Sequence, residues 1–313
     1  MAEIAVGLDA VKPAESVVVI GFFDGVHRGH QSLITRAVRA ADQQGIRCVV
    51  VTFDRHPLEV VNPGARPPLL MTLDQRLRAL AALEVDLVVA LPFDDELRHR
   101  EPGDFITHVL GGPLQARHVV VGANFRFGHR AAGDVTTLAD IGPLLDFTSE
   151  GVTLLELDDT IVSSTQIRAA LERGDVEQAA RWLGRPYVME GIIARGDQRG
   201  RLLGFPTANL HVDERAAVPA DGVYAGRFRL PESGPDHRTW HPCAISVGTN
   251  PTFAGITAVR IEANLLDWSG ELYGVDAALA FTHRLRGQVK FDAVDDLVAQ
   301  MTLDVARARE LLA

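Results

Sequence analysis

The sequence predicts an α/β chain in two parts. A doubly wound parallel sheet is expected over residues 1–183, and a small antiparallel β-barrel closed by a terminal helix over 184–313. Three observations carry this. In the first half, short apolar β-branched runs alternate with stretches of helical spacing, as in strands covered on both faces by crossover helices. After the breaker Gly184-Arg185-Pro186-Tyr187 the rhythm changes to short strand-like runs separated by Gly and Pro. The length of 313 residues, 47% of them hydrophobic, is enough for two cores at roughly 100–200 residues per domain.

Taken in order, residues 16–23 (SVVVIGFF) read as a buried strand, followed by the polar turn Asp24-Gly25-Val26-His27-Arg28-Gly29-His30. Leu33, Ile34, Ala37, Val38 and Ala41 then recur at helical spacing, and Gly45 fits the helix end. Residues 47–53 form the second strand of a right-handed βαβ unit. A helix over 69–83, with Asp74, Arg76 and Arg78 among its polar positions, precedes a strand over 85–91. A helix over 102–110, a strand over 118–121 ending at Gly122, and a strand over 151–157 follow. Two short helices, 165–173 and 175–183, close the first part. In the second part, strands are expected at 187–194, 222–230, 241–247, 259–266 and 275–285. The last helix starts near Val294, with Leu297, Val298, Met301, Val305 and Ala308 at helical spacing.

Composition narrows the function. There are 31 Lys and Arg against 41 Asp and Glu, a net charge of −10 with His neutral. That disfavours nucleic acid or an anionic membrane as partner, since both need a basic face. A small anionic ligand needs only a local positive site. The two cysteines, Cys48 and Cys243, have no CxxC spacing, so a site built on cysteine is not expected. The N-terminus has no basic segment leading into an apolar one, and no apolar run approaches ~18 residues. A cytoplasmic protein is therefore expected, and the sequence admits an oligomer as well as a monomer.

Ligands of doubly wound sheets bind at the carboxyl ends of the strands. His27 and His30 lie there, at a strand-to-helix turn, where unpaired backbone N–H groups and the helix dipole attract phosphate. Gly29 removes a side chain where a ligand must approach the backbone. Histidines in this position can donate to phosphate oxygens as charge grows in phosphoryl or nucleotidyl transfer. Ser163-Ser164-Thr165-Gln166-Ile167-Arg168 opens a helix with three hydroxyls and an arginine, which reads as an N-cap or as an anion clamp.

Gly21-Phe22-Phe23-Asp24-Gly25-Val26-His27-Arg28-Gly29-His30 resembles the signature of the HxGH nucleotidyltransferases. Together with Phe53-Asp54-Arg55-His56-Pro57, the run from Gly122 to Gly128 (GANFRFG) and the run from Ser163 to Arg168, it is similar to the adenylyltransferase half of prokaryotic bifunctional FAD synthetases. The resemblance implies that His27 and His30 are catalytic and hold the ATP phosphates. It also implies an ATP site including Gly21, Phe23, Asp24, Gly29, Asn124, Arg126, Ser164, Thr165 and Arg168. Phe22 and Arg55 depart from the family pattern, and His56 reads as mainly structural. The implied chemistry is in-line attack of the FMN phosphate on the α-phosphorus of ATP. That nucleophile is already ionised at neutral pH, so positioning and charge stabilisation suffice, with Mg²⁺ assisting.

The second part holds a loop from Gly191 to Gly204 with four glycines and three arginines, which could cradle phosphates through backbone N–H groups. Gly196, Arg201 and Gly204 are its ATP-binding candidates. The segment Gly204-Phe205-Pro206-Thr207-Ala208-Asn209 resembles the riboflavin kinase signature, which implies that Thr207 and Asn209 supply oxygens to Mg²⁺ and phosphates. Further matches run to Leu285-Arg286. The same resemblance makes Glu262 the base that takes the proton of the ribityl hydroxyl. Asn264 and Gln288 depart from the pattern. The implied activity is phosphorylation of riboflavin to FMN, then adenylylation to FAD and pyrophosphate. ATP, riboflavin, FMN and FAD are the small-molecule partners, the flavins being substrates and products. Two other readings compete: an adenylyltransferase for another phosphorylated precursor, with the barrel as recognition module, and a flavin-binding regulator without turnover.

Overall fold

The computed structural model describes residues 2–195, 204–230, 239–251, 257–268 and 270–313. It divides into two compact units, Met1–Ser164 and Thr165–Ala313.

The first unit is a six-stranded, wholly parallel sheet. Its strands are β1 (Glu3–Val6), β2 (Ser16–Ile20), β3 (Arg47–Phe53), β4 (Leu87–Leu91), β5 (Ala116–Gly122) and β6 (Thr148–Val152), in the order β1-β4-β3-β2-β5-β6. Alternation along the strands feeds two separate cores. Val18, Ile20, Val49, Val51, Val89 and Val119 face one layer, together with Phe105, Ile106, Val109 and Leu110. Val17, Val19, Val50, Val88 and Val120 face the other. There they meet Leu33, Ile34 and Ala37 of α1 (Arg28–Gln44). Gly45 closes that helix at φ 67°, a left-handed conformation that costs glycine nothing.

Several expectations shift here. The first strand stops at Ile20 rather than 23, because Phe23 and Val26 take positive φ and turn the chain back. The 69–83 helix forms only as α3 (Leu73–Ala81), since Thr72 and Gln75 make a capping box that starts it late. α2 (Pro57–Val61) and α4 (Asp95–His99) are short helices that the apolar pattern did not show. The 102–110 helix is present as α5 (Pro102–Phe105), continued by a π-wound turn over Ile106–Leu110. α6 (Val135–Ile141) was likewise unread. The strand expected at 151–157 lies upstream as β6, and Glu156–Leu157 (β7) instead pairs with Thr160–Ile161 (β8). β1 was missed because only Ala5 of its four residues is buried.

In the second unit, β9 (Tyr187–Ala194), β10 (Ala208–His211), β11 (Gly222–Arg229), β12 (His241–Pro251), β13 (Thr257–Leu265) and β14 (Asp276–Arg286) close an antiparallel barrel. The order is β10-β13-β12-β11-β14-β9, joined by the β9–β10 pairing. Tyr224, Phe228, Ile245, Leu279 and Phe281 fill it. β10 was not anticipated, because its four residues follow a Gly- and Pro-bearing loop. α7 (Ser164–Glu172) and α8 (Val176–Leu183) pack with this barrel: Ala220 N–H donates to Leu171 O at 2.8 Å, and Arg284 N–H to Glu177 at 3.2 Å. The compact division therefore falls at 164/165, whereas the breaker in the sequence falls at Gly184. The terminal helix, α9 (Val294–Leu312), sets Ala308 and Leu312 against Ala225 and Ala244. Arg286 grips the buried Asp304 of that helix with two nitrogens, at 3.0 and 2.7 Å.

Candidate nucleotide-handling sites

In the first unit, the chain leaves β2 at Gly21 and re-enters regular structure at Arg28. His27 caps α1: its Nδ1 accepts from His30 N–H at 3.3 Å. The two rings stack at 3.5 Å between centroids, 20° from parallel. A Cβ on residue 29 would sit 3.1 Å from the His27 ring, so Gly29 gives that ring its place. Phe23 presents its ring at right angles to His30, centroids 5.1 Å apart. Its own ring would lie 2.8 Å from a Cβ at Gly21. Burial first, and the charge on His27 second, hold the His30 imidazole well below the ordinary histidine value of 6.5. His30 is thus neutral at physiological pH, and among the described residues its buried Nδ1 has no hydrogen-bond partner.

Asp24 is 2% exposed, and its carboxylate accepts from Leu70 N–H at 3.1 Å and from Met71 N–H at 3.2 Å. Its side chain anchors the 70–71 segment to the turn. Ser164 Oγ donates to Asp24 O at 2.8 Å and ties the end of this unit to the same turn. Asn124 and Arg126 stand exposed in the loop after β5. Arg126 rests on Asp134 at 2.8 Å with 59% of its side chain in solvent. Thr165 and Arg168 begin the second unit, in the first turns of α7. His56 caps α2 in a capping box with Glu59, in keeping with its structural reading. Sequence reasoning passed over Arg76, whose place on a helix looked solvated. It is 1% exposed, donates to Phe53 O, and sets its guanidinium 4.0 Å from the Phe22 ring centroid. Burial pushes it down to about 10, against the charges of Asp24, Asp54 and Glu59.

In the second unit, Asn209 on β10 is the register partner of Glu262 on β13. Their neighbours Ala208, Leu210, Ile261 and Ala263 are buried, so Asn209 and Glu262 share the other face. Thr207 Oγ1 donates to Glu262 Oε2 at 3.4 Å, and Arg260 lies 3.7 Å from Glu262 Oε1. Thr207 and Asn209 thus set hard oxygen donors beside Glu262, donors that fit Mg²⁺ shared with substrate phosphates. Beside Thr207 opens a cleft of 570 Å³ walled by Ile193, Leu265, Trp268, Leu272 and Tyr273. The two departures have definite partners: Asn264 donates to Pro206 O at 2.8 Å, and Gln288 to Ser246 Oγ at 3.1 Å and Val247 O at 2.8 Å. Gly204 is exposed at φ 85°, while Gly196 and Arg201 lie outside the described residues.

A parallel sheet with two stacked histidines at a strand-to-helix turn, joined in one chain to a barrel bearing a hydroxyl–carboxylate pair, has the make-up of a two-domain nucleotide-dependent transferase. Comparison with known proteins makes this particular. The FAD synthetase family model matches residues 9–166, and the riboflavin kinase model matches 183–312. A bifunctional riboflavin kinase/FMN adenylyltransferase of Listeria monocytogenes is 36% identical, covering 95% of this chain and 92% of its own. Those of Pseudomonas fluorescens (36%, covering 98% and 97%) and Escherichia coli K12 (33%, covering 94% and 92%) agree. A solved structure described as a macrolide-efflux protein from Streptococcus pneumoniae shares the whole architecture, with a TM-score of 0.87, 30% identity and 98% of each chain covered. Among the described residues no helix is long and apolar enough to cross a membrane. The chain belongs to the bifunctional riboflavin kinase/FMN adenylyltransferase family. It is an enzyme with both activities, phosphorylating riboflavin to FMN and adenylylating FMN to FAD. The riboflavin kinase match over the barrel sets aside the recognition-module reading.

Proposed function

We propose that residues 184–313 carry the kinase step and residues 1–183 the adenylyl transfer, each with its own residues. The observation that carries this reading is the Thr207–Glu262 contact at 3.4 Å, with Asn209 in register beside it. An alcohol attacking phosphorus must lose a proton, and the Glu262 carboxylate beside Thr207 is the acceptor in this reading. The ribityl oxygen of riboflavin forms a bond to the γ-phosphorus of ATP, the bond to the β-bridging oxygen breaks, and ADP leaves. Thr207 and Asn209 would hold Mg²⁺, which when bound offsets charge on the phosphates.

In the other step, an FMN phosphate oxygen bonds to the α-phosphorus of a second ATP and pyrophosphate leaves. His27 and His30 orient the polyphosphate at the α1 N-terminus, with Gly21, Phe23 and Gly29 shaping the turn. Asp24 and Ser164 contribute by fixing that turn. Asn124, Arg126, Thr165 and Arg168 are ATP contacts in this reading, as are Gly196, Arg201 and Gly204 for the kinase. The net charge of −10 leaves nucleic acid and anionic membranes outside its partners. We place the enzyme in the cytoplasm, where ATP is abundant and the buried free thiols of Cys48 and Cys243 stay reduced. Chromatography of products from riboflavin, ATP and Mg²⁺ over time tests the reading. FMN preceding FAD is expected. Failure of the Glu262→Gln variant to use riboflavin, with supplied FMN still adenylylated, would support separate sites; loss of both steps in a folded variant would refute them.

A further inference from the structure

We propose that Arg76 is a positioning residue for adenylyl transfer, holding the 21–27 turn, and with it His27 and His30, through the Phe22 ring. This rests on the assignment of adenylyl transfer to the first unit. Arg76 leaves α3 inward, against the carboxyl ends of β2 and β3 where the turn begins. Its guanidinium lies 4.0 Å from the Phe22 centroid and donates to Phe53 O, the last carbonyl of β3.

Two further contacts close a circuit. The carboxylate of Asp24, two residues past Phe22, holds Leu70 and Met71 N–H immediately before Thr72, the cap of the helix that carries Arg76. The turn and the start of α3 therefore brace each other at two points. On its remaining sides Phe22 meets the edge of His56 at 4.7 Å, and its carbonyl accepts from Thr52 Oγ1 at 2.9 Å. Phe22 is fixed by three elements, and the next residue, Phe23, lays its ring against His30. A shift of Phe22 is passed to His30 through one peptide unit. A cation over an aromatic face away from water is a strong and directional hold. A buried charge retained at this point, where an apolar side chain would fill the same space, has the cost of desolvation against it. The circuit gives it a reason.

The experiment uses the full chain, with riboflavin kinase turnover as the internal control. In Arg76→Met, kcat for FMN adenylylation is expected to fall about tenfold or more, with KM for ATP nearly unchanged and kinase turnover intact. Arg76→Lys keeps a cation under the ring and is expected to recover most of the loss. Phe22→Leu, which keeps bulk but removes the ring face, is expected to slow the same step, and the double variant to be no slower than either single one. This second route stands if Arg76→Met fails to fold. Full kcat in Arg76→Met, equal slowness of the Lys variant, or additive effects of the two positions would overturn the assignment. A wild-type chain that makes no FAD from supplied FMN would instead overturn the reading on which it rests.

Discussion

Asp304→Ala isolates one interaction whose cost can be worked from the geometry. Asp304 is 7% exposed on α9 and receives Arg286 Nε at 3.0 Å, Arg286 Nη2 at 2.7 Å and Gln300 Nε2 at 3.0 Å. Arg286 ends β14, and the other face of its guanidinium donates to Gly287 O. The substitution leaves a mostly buried guanidinium without its carboxylate. Breaking one side of such a pair costs about 3–5 kcal/mol. For a unit of this size each kcal/mol moves the midpoint by about 2–4 °C, so a drop of about 6–20 °C is expected. The three tryptophans, Trp182, Trp240 and Trp268, all fall in the second unit, so tryptophan fluorescence reads its unfolding selectively. Replacing both partners, as in Arg286→Met with Asp304→Leu, should restore most of the stability, because no charge is then left buried alone. A midpoint shift below about 2 °C in Asp304→Ala, or a double variant as unstable as the single, would refute the reasoning.

The remaining expectations concern the two sites. His27→Ala or His30→Ala should lower FMN adenylylation and spare the kinase, while Asn209→Ala or Glu262→Ala should block FMN formation and leave supplied FMN usable; paired product assays on one preparation check both. His30 is held below its ordinary 6.5, so below that pH the unfolded chain takes a proton that the folded one refuses. Stability of the first unit should therefore fall as pH drops below about 6.5, by up to about 1.4 kcal/mol per pH unit, and His30→Gln should flatten that slope in denaturant titrations followed by circular dichroism. Asp134→Asn keeps the α6 cap, made through Thr137 N–H at 3.0 Å, but releases Arg126 from a surface pair worth only about 0–1 kcal/mol. The KM for ATP in adenylylation should fall by up to about fivefold, and an unchanged or higher KM would remove Arg126 from the ATP contacts.

The strands that carry both cores were legible because burial on two faces leaves an apolar run. Val17–Ile20, Val49–Val51 and Val88–Val89 can be read on no other basis. What escaped were elements fixed by hydrogen bonds rather than by burial. α2 has no buried residue and exists through its cap and Pro57. β10 is four residues long and is defined by its partners β9 and β13. The end of β2 was overshot because Phe22 and Phe23 are apolar yet belong to the turn, where Phe23 lays its ring against His30 and Phe22 meets the Arg76 guanidinium instead of extending the sheet. At the proposed sites, His27 and His30 stand out by their place at a strand-to-helix turn, while Thr207 and Glu262 are marked only by the resemblance to riboflavin kinases. Arg76 does not stand out, because a cation at helical spacing reads as solvated until the packing above it is known. Asp24 is legible as part of the motif but not as an anchor, since its partners are backbone N–H groups nearly fifty residues away.

The placement of carboxylates follows from the nucleophile each step uses. Riboflavin offers an alcohol that is protonated at neutral pH, so its site needs a group to accept the proton, and Glu262 stands half-exposed with Thr207 Oγ1 at 3.4 Å. FMN offers a phosphate that is already an anion. A second carboxylate free to face it would repel it, at a cost that grows as water is excluded. The turn from Gly21 to His30 contains one carboxylate, Asp24, and the fold turns it inward onto the N–H groups of Leu70 and Met71. What remains at the turn is a helix N-terminus and two stacked imidazoles, His30 held neutral by burial first and by His27 second. A neutral His30 can donate to an oxygen without giving up a proton, which suits a step where charge is redistributed but no proton needs to move. Substituting an exposed carboxylate into that turn would oppose the reaction, while removing Glu262 from the barrel would stall the other; the same residue type has opposite value in the two sites because the two nucleophiles differ in charge.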